Sequence, residues 1–330
     1  MNFTEYQDAL DAKWEQLETK IKFDEDFKKS GEGKIQVTEE FYITLNTSNL
    51  PGLKIFYDKN HTINEKNLPI CKSWKLNLFE NTITMLLSNE GYAEFFKDTI
   101  NLILTKIHLN KLGKNESVNF FLERLNLAKN FYDSENPPKP MSSFSEIGLF
   151  GELSLIKEFF LKKFSYKECI VIWTGPNKKH DFTTSELLLE AKTSTLDGKK
   201  IINVSNDQLS PIYDKNLYLS FIELNKDSKG VTLNDLIETL SLKLNEVSDD
   251  LLNDFLIKLR QVGYFNFHRD EYKQKYSINN FNFYEVSNSF PHIKEINKPE
   301  SIFGIAITYK IDLEKCEDFR INEEHLLNKI

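Results

Sequence analysis

One short segment of this sequence combines a buried strand with charged side chains. Residues Leu187 to Lys192 are three leucines followed by Glu, Ala and Lys. In a β-strand, alternate side chains share one face. Glu190 and Lys192 would therefore lie beside Leu188 on one face, while the other face is apolar. The segment predicts a strand from which a carboxylate and an ammonium emerge together.

The strand context separates this segment from similar pairs elsewhere in the chain. An acidic residue two positions before a lysine also occurs in polar, helix-like or loop-like surroundings, for example at Asp11, Glu18, Glu32 and Glu271. At those positions the pattern predicts nothing beyond solvated charge.

The residues before the strand bring in a second carboxylate. His180-Asp181-Phe182 predicts a neighbouring strand, and a two-residue turn at Ser185-Glu186 would place Asp181 directly opposite Glu190. Opposed side chains in such a pair are about 5 Å apart at Cβ. Two carboxylates this close repel each other unless a cation lies between them, and Mg2+ is held by one or two carboxylates with several retained waters. The register therefore predicts a divalent-metal site.

A third carboxylate, Glu152, lies in a predicted helix from Ser145 to Lys163. At about 100° per residue, Glu152 falls inside the apolar stripe of this helix. An acidic side chain there needs a partner. The partner is either the sheet on which the helix packs or, if Glu152 lies at the stripe's edge, Lys163 or water. The stripe consists of Leu149, Phe150, Leu153, Ile156, Phe159 and Phe160.

Several of these segments match the motifs of a known family. They are Gly148–Leu153, Trp173–Pro176, His180–Phe182, Glu190–Thr193, Gln208-Leu209, Gly263-Tyr264 and Phe290-Pro291. In these motifs, which span most of its length, the chain resembles the PD-(D/E)XK nucleases found beside restriction and phage-defence genes. Two features depart from the wider pattern. His180 stands in place of the proline, and only eight residues separate Asp181 from Glu190.

The resemblance implies an α+β (α/β) fold with a restriction-endonuclease-like core, in which a helix, three strands, a helix and a strand build a mixed sheet. The chain offers candidates in that order: the helix Ser145 to Lys163, the strands Cys169 to Trp173, Asp181 to Thr184 and Leu187 to Ser194, a short helix Asp207 to Tyr213, and the strand Leu217 to Leu224.

The resemblance also implies a mechanism. Asp181, Glu190 and the carbonyl of Ala191 would hold Mg2+, or Mn2+ in its place, which polarises the scissile phosphate and lowers the pKa of a bound water. Lys192 would position or deprotonate that water, or stay charged and stabilise the transition state.

Three further residues near this site have open roles. Glu152 would hold a second metal or a metal-bound water. Gln208 would hydrogen-bond water or phosphate, or would be a surface residue in the first turn of a capped helix. His180 is interpreted as a structural residue that satisfies a local hydrogen bond, with contact to DNA or to a leaving group as the alternative.

Charge limits how nucleic acid is bound. The net charge of -8 argues against attraction over the whole surface, since phosphate binding depends on clustered Lys and Arg. Residues 146–230, however, hold twelve basic and twelve acidic side chains. Candidate contacts around the strands are Lys178, Lys179, Thr193, Lys199 and Lys200, although loop lysines are equally typical of a solvated surface.

The domain prediction has three parts. Residues 1–140 form an accessory region of antiparallel strands and helices that ends in the proline-rich Asn136–Pro140, residues 141–230 form the catalytic core, and residues 231–330 form a helical and strand extension. The accessory strands are Ile35–Val37, Phe41–Leu45, Leu53–Tyr57 and Trp74–Leu78, and its helices are Tyr92–Leu109 and Glu116–Tyr132.

In the extension, Leu233–Leu244 and Asp249–Val262 predict helices, the second with Ser248 as N-cap and Gly263 just past its end. Tyr264–Tyr284 interleaves aromatic and basic residues, which suits base stacking but is more typical of a core. Ser301–Tyr309 predicts a closing strand.

Composition favours an ordinary cytoplasmic protein. Three separated cysteines suggest neither a disulfide framework nor a zinc cluster. The amino terminus lacks a signal-like apolar region, and no apolar run has the length of a membrane span.

Three functions remain open. The favoured one is a type II restriction-endonuclease-like enzyme that cuts double-stranded DNA as a homodimer, alongside a methyltransferase or ATPase encoded nearby. The second is a nucleic-acid-binding or assembly subunit on a nuclease-derived fold. The third is a nuclease that acts on RNA or branched DNA, because fold does not settle substrate.

Overall fold

A computed structural model describes residues 3–23, 31–63, 68–132, 136–175, 178–195, 200–209, 215–293 and 307–330. The chain divides into two compact units, residues 1–139 and residues 140–330. Within the described ranges, no helix combines the length and the apolar character that crossing a membrane requires.

The first unit contains an antiparallel five-stranded sheet and three long helices. In chain order its elements are α1 (Phe3–Phe23), β1 (Glu32–Gln36), β2 (Phe41–Asn46), β3 (Pro51–Phe56), β4 (Trp74–Phe79), β5 (Thr82–Leu87), α2 (Ala93–Leu109) and α3 (Lys114–Tyr132). The strand order is β1-β2-β3-β5-β4. The four predicted strands and two predicted helices are confirmed. Sequence analysis missed α1 and also β5, whose alternate residues Ile83, Met85 and Leu87 are buried.

The second unit is mixed α+β, as predicted. Its elements are α4 (Ser143–Glu158), α5 (Tyr166–Ile172), β6 (Phe182–Thr183), β7 (Leu187–Thr195), β8 (Ile201–Ser205), β9 (Asn216–Val231), α6 (Leu233–Val247), α7 (Asp249–Gln261), β10 (Tyr276–Glu285), β11 (Thr308–Asp312), β12 (Arg320–Ile321) and α8 (Glu323–Leu327). Short 3-10 helices lie at Phe160–Lys162, Asn266–Glu271, Leu313–Lys315 and Glu317–Phe319.

The central sheet of this unit has the order β12-β10-β9-β7-β6. Strands β7 and β9 are parallel and the other neighbours are antiparallel, so the sheet is mixed. Residues Leu187 to Glu190 of β7 are all buried, which shows that both faces of the strand are covered. On the Leu188 face lies a core cluster that includes Ile202 and Val204 of the separate β8–β11 pair. Thr193, on the other face by strand alternation, meets Gly151 of α4.

One predicted strand is wrong. Residues 166–172 form helix α5, and in the Cys169–Trp173 segment only Trp173 makes an isolated β-bridge, to Phe182. The reason is a capping box. The Ser165 side chain accepts from the Glu168 backbone N–H, and Glu168 accepts from the Ser165 backbone N–H.

Two other predictions are only partly covered by the described residues. In the predicted helix Asp207–Tyr213, residues 206–209 form a turn, and residues 210–213 lie outside the described ranges. Residues 301–306 of the predicted strand Ser301–Tyr309 also lie outside them, and β11 begins at Thr308.

The remaining predictions for this unit agree with the structure. Both helices of the extension are present, and the Ser248 hydroxyl caps the second by accepting from Leu251 N at 3.1 Å. Gly263 follows that helix with φ of +94°. In Tyr264–Tyr284, six aromatic residues are buried, which supports the core interpretation for them: Tyr264, Phe265, Tyr272, Tyr276, Phe283 and Tyr284.

Candidate active site

The hairpin of β6 and β7 has the predicted register. Phe182 pairs with Leu189 and Thr183 with Leu188, which continues to Asp181 opposite Glu190. The turn dipeptide Ser185-Glu186 is not one that normally fixes a hairpin. Here the preceding residue does so, because the Thr184 hydroxyl accepts from Leu187 N at 3.0 Å and from Glu186 N at 3.2 Å.

Asp181 is tied to the neighbouring strand. Its Oδ2 accepts a hydrogen bond from the backbone N–H of Ala191 at 2.7 Å. Burial raises the pKa of the Asp181 carboxyl well above its usual range, and the negative charges of Glu190 and Glu152 raise it further. Part of the side chain still reaches the surface. The site therefore holds an excess of negative potential that a cation would relieve.

Glu190 is buried, with 1% of its surface exposed. One carboxylate oxygen, Oε1, accepts from Lys192 Nζ at 2.7 Å. The other, Oε2, has no hydrogen-bond partner among the residues that the structure describes. Burying a carboxylate oxygen without a donor is costly unless a positive group approaches it.

Lys192 connects Glu190 to Gln208. Its Nζ also donates to Gln208 Oε1 at 3.2 Å, and that same oxygen accepts from Ser205 N at 3.0 Å. Gln208 thus reaches the site from a turn, not from the first turn of a helix. The alternative in which Gln208 is only a surface residue is wrong, since its amide contacts the lysine directly.

Glu152 contacts an indole that the sequence analysis did not name as its partner, and Lys163 is engaged elsewhere. Its Oε2 accepts from Trp173 Nε1 at 2.7 Å, whereas Lys163 Nζ donates to the carbonyl of Leu327 at 2.8 Å. Burial raises the pKa of the Glu152 carboxyl to about 7; the Trp173 hydrogen bond lowers it, Glu190 raises it and Lys192 lowers it.

Trp173 is the residue whose role the sequence did not reveal. Its ring is completely buried, and Lys258 of α7 donates to its carbonyl oxygen and lies 5.9 Å from its ring centroid. The indole is thus fixed from a segment about 85 residues further along the chain. The sequence placed Trp173 near Asp181 along the chain, which was the available signal that Trp173 lies near the site. The contact of Trp173 with Glu152, however, depends on helix α5, which precedes Trp173.

The residues predicted to contact nucleic acid differ in their exposure and in their partners. Lys178 and Lys179 are exposed in the loop before Asp181. Lys199 lies outside the described residues. Lys200 is engaged by Glu223 at 3.1 Å. Thr193 lies against α4, and its Oγ1 is buried, so this hydroxyl packs a helix on a strand instead of facing solvent.

His180 is not the hydrogen-bonded structural residue that the sequence predicted. It is 3% exposed, and neither ring nitrogen has a hydrogen-bond partner within the described ranges. Its Nδ1 lies 3.8 Å from Oε2 of Glu190.

The residues present fit a hard divalent cation that takes few protein ligands and keeps several water ligands. Among the described residues, no three or more His, Cys, Asp or Glu side chains are grouped closely enough to ligate a metal by themselves. Mg2+ commonly takes only one or two carboxylates and retains waters. Asp181, Glu190 and the Ala191 carbonyl provide such a set, and the partnerless Glu190 Oε2 is a buried oxygen ready for a positive partner.

A comparison of the sequence with models of protein families identifies the family of this chain. The model of a family described as "Putative PD-(D/E)XK family member, (DUF4420)" matches residues 10–314. The chain belongs to this family. PD-(D/E)XK membership supports a nuclease, and so a phosphodiesterase, and nucleases of this kind typically use divalent metals. No curated protein and no solved structure matches the chain.

Proposed function

We propose that this PD-(D/E)XK protein is a metal-dependent endonuclease that hydrolyses double-stranded DNA within a restriction or phage-defence system. The observation that carries the proposal is the hairpin in which Asp181 and Glu190 lie opposite each other with Lys192 bonded to Glu190. Phosphodiester hydrolysis needs a cation at the phosphate and a polar group at the attacking water, and this hairpin offers groups for both.

The residues have distinct tasks in this proposal. Asp181, Glu190 and the carbonyl of Ala191 would hold Mg2+, with Mn2+ as a substitute. When bound, the cation supplies Lewis-acid polarisation of the phosphate and a lower pKa for the attacking water. The attacking water would lose a proton to solvent as its oxygen bonds to phosphorus, the bond to the leaving oxygen would break, and that oxygen would take up a proton from solvent.

Lys192 acts on the reacting atoms, and Gln208 positions Lys192. The ammonium of Lys192 is held between Glu190 Oε1 and Gln208 Oε1, which fixes its position beside the carboxylates. From there it donates to the attacking water or to a phosphate oxygen and offsets developing negative charge. Glu152, oriented by Trp173, adds a further carboxylate for a second cation or its water.

A plasmid assay tests the proposal. The wild type is expected to cut supercoiled DNA with Mg2+ and not with EDTA, whereas Asp181→Ala and Lys192→Ala each lose on the order of 100-fold or more in rate, because both remove charge stabilisation at the phosphate. The matched control is Lys229→Ala, an exposed lysine at the far end of β9, which should cut like the wild type.

The products separate the alternatives. A homodimer that cuts both strands together yields linear plasmid directly, whereas a single site accumulates nicked circles. Comparison of methylated and unmodified plasmid tests the restriction role, and adding a methyltransferase or ATPase encoded nearby tests dependence on a partner. Cleavage of only RNA or only branched DNA would show that this nucleic acid, and not double-stranded DNA, is the substrate. Binding without cleavage of any substrate would favour the assembly subunit, and equal activity in all variants would reject this site.

A further inference from the structure

The strongest unexplained feature beside the site is the side chain of His180. Its main chain is anchored, because the His180 carbonyl accepts from the Thr174 hydroxyl. Its ring is not anchored. It is 3% exposed, and both nitrogens lack a hydrogen-bond partner in the described parts of the chain. A buried polar group without a partner costs about 1–3 kcal/mol, so its retention calls for a reason.

The ring faces another buried atom in the same condition. Nδ1 of His180 lies 3.8 Å from Oε2 of Glu190, and that oxygen also lacks a donor among the described residues. The separation is longer than a hydrogen bond, about 2.9 Å, and too short for a bridging water. A movement of about 1 Å by either side chain would therefore form a direct N–H···O bond.

The two oxygens of Glu190 have different neighbours. Lys192 occupies Oε1 at 2.7 Å, and Nδ1 of His180 lies 3.8 Å from Oε2. An ionised carboxylate has about four lone-pair sites, so both oxygens can accept a hydrogen bond and still offer a lone pair to a cation. Two donors on opposite oxygens would fix the orientation of the carboxylate.

We propose that His180 is a positioning residue for Glu190, donating Nδ1–H to Oε2 and holding this carboxylate in the orientation that binds the divalent cation. The inference rests on the proposed function, because it assumes a cation at Asp181 and Glu190. Groups that hydrogen-bond metal ligands typically contribute 10–100-fold in metal affinity. His180 acts on the reaction only through Glu190.

Three substitutions separate this role from simple packing. Asn carries an amide nitrogen at the same number of bonds from Cβ as Nδ1, whereas Gln carries its nitrogen one bond further out, near the place of Nε2. His180→Asn should therefore keep the donor to Glu190, and His180→Gln and His180→Ala should lose it. Glu190→Ala and Asp181→Ala serve as variants without a metal ligand.

The measurement is calorimetric binding of Mn2+ and of Mg2+ to the full chain without DNA, together with the melting temperature in EDTA. His180→Ala and His180→Gln are expected to weaken the Kd of both metals by 10–100-fold. His180→Asn should stay within about threefold of the wild type. The metal-free melting temperatures of the Asn and Gln variants should be alike. If the Ala variant fails to fold, the comparison of Asn with Gln carries the test.

Several outcomes would overturn the inference. Wild-type affinity in His180→Ala would remove any role for the ring. Equal weakening in the Asn and Gln variants would indicate packing. A loss of Mn2+ binding with Mg2+ binding unchanged would make His180 a metal ligand, because imidazole prefers transition metals. Failure of the proposed function gives a different result: either the wild type binds no metal, or Asp181→Ala binds metal as tightly as the wild type. In both cases the inference falls with the proposed function.

Discussion

At the scale of single residues, the site is a set of carboxyl groups held close together by neutral and positive donors. Asp181 receives a backbone N–H, Glu190 an ammonium and Glu152 an indole N–H. The pKa values of the Asp181 and Glu152 carboxyls are both raised, mainly by burial. In the absence of a cation, Asp181 and Glu152 therefore bind protons more tightly than free carboxyl groups do.

This arrangement predicts how the stability of the metal-free protein depends on pH. The pKa of Glu152 is about 7 in the folded chain against an ordinary value of 4.5, so the folded state binds more protons between these pH values. The stabilisation is complete below about pH 4.5 and is lost as pH rises through about 7, on the order of 3 kcal/mol. Glu152→Gln should therefore melt higher than the wild type at pH 8 in EDTA, and about equally at pH 5.

The control for this experiment is Glu158→Gln, an exposed glutamate on the same helix. It should leave the difference between pH 5 and pH 8 unchanged. The variant at Glu152 flattens the pH dependence without abolishing it, because the raised pKa of Asp181 acts in the same direction. If Glu152→Gln melted at the same temperature as the wild type at both pH 5 and pH 8, the Glu152 carboxyl would be ionised in the folded chain and the prediction would be wrong.

The sequence predicted part of this residue-scale picture. The pairing of Asp181 with Glu190 followed from strand alternation and a two-residue turn, both local properties. The contact of Trp173 with Glu152 and the isolation of the His180 ring depend on how α4, α5 and β7 pack. Alternation along one strand carries no information about such contacts, so neither was predicted.

At the scale of elements, the position of α4 on β7 depends on one glycine. A Cβ built on Gly151 would lie 1.9 Å from Thr193 Oγ1 and 2.9 Å from Thr193 Cβ. Rotation of the threonine moves Oγ1 but not Cβ, so a larger residue forces the helix away from the strand. Glu152 is the next residue of α4, and its approach to the site depends on the same close contact.

Gly151→Ala is therefore expected to destabilise the second unit by about 1–3 kcal/mol, the usual cost of overpacking. The matched control is Gly148→Ala in the same helix, where a Cβ meets nothing within 4 Å. That change should stabilise the helix by up to about 1 kcal/mol, because alanine favours helix over glycine. Melting temperatures check both, and equal shifts in the two variants, or a higher melting temperature for Gly151→Ala than for Gly148→Ala, would contradict a close contact at Gly151.

The wrong prediction at Cys169–Trp173 also belongs to this scale. The apolar run Cys169 to Trp173 is five residues long, and a run of that length suits a buried strand as well as a helix turn. The decisive signal lay outside the run, in the spacing of Ser165 and Glu168 that forms a capping box. Short apolar runs are thus assigned better by their flanking caps than by their own residues.

At the scale of the whole molecule, the chain contains two units with their own sheets. The first unit's sheet lies within residues 32–87, and the second unit's sheet within residues 182–321. The core cluster around Leu188 and Val204 draws only on residues from 188 to 319. Every residue assigned to the site lies in the second unit. The proline-rich segment Asn136–Pro140 coincides with the end of the first.

This division predicts that residues 140–330 fold without the preceding unit. Because this part closes its own mixed sheet and supplies its own core, its unfolding should be cooperative, with circular dichroism showing both helix and strand. Because it also carries Asp181, Glu190 and Lys192, it should bind Mn2+ within about threefold of the full chain, an affinity that Asp181→Ala removes. A fragment that is unfolded would show that the first unit completes the core. A folded fragment without metal affinity would instead give the first unit a part in the site, which no residue-scale contact described above requires.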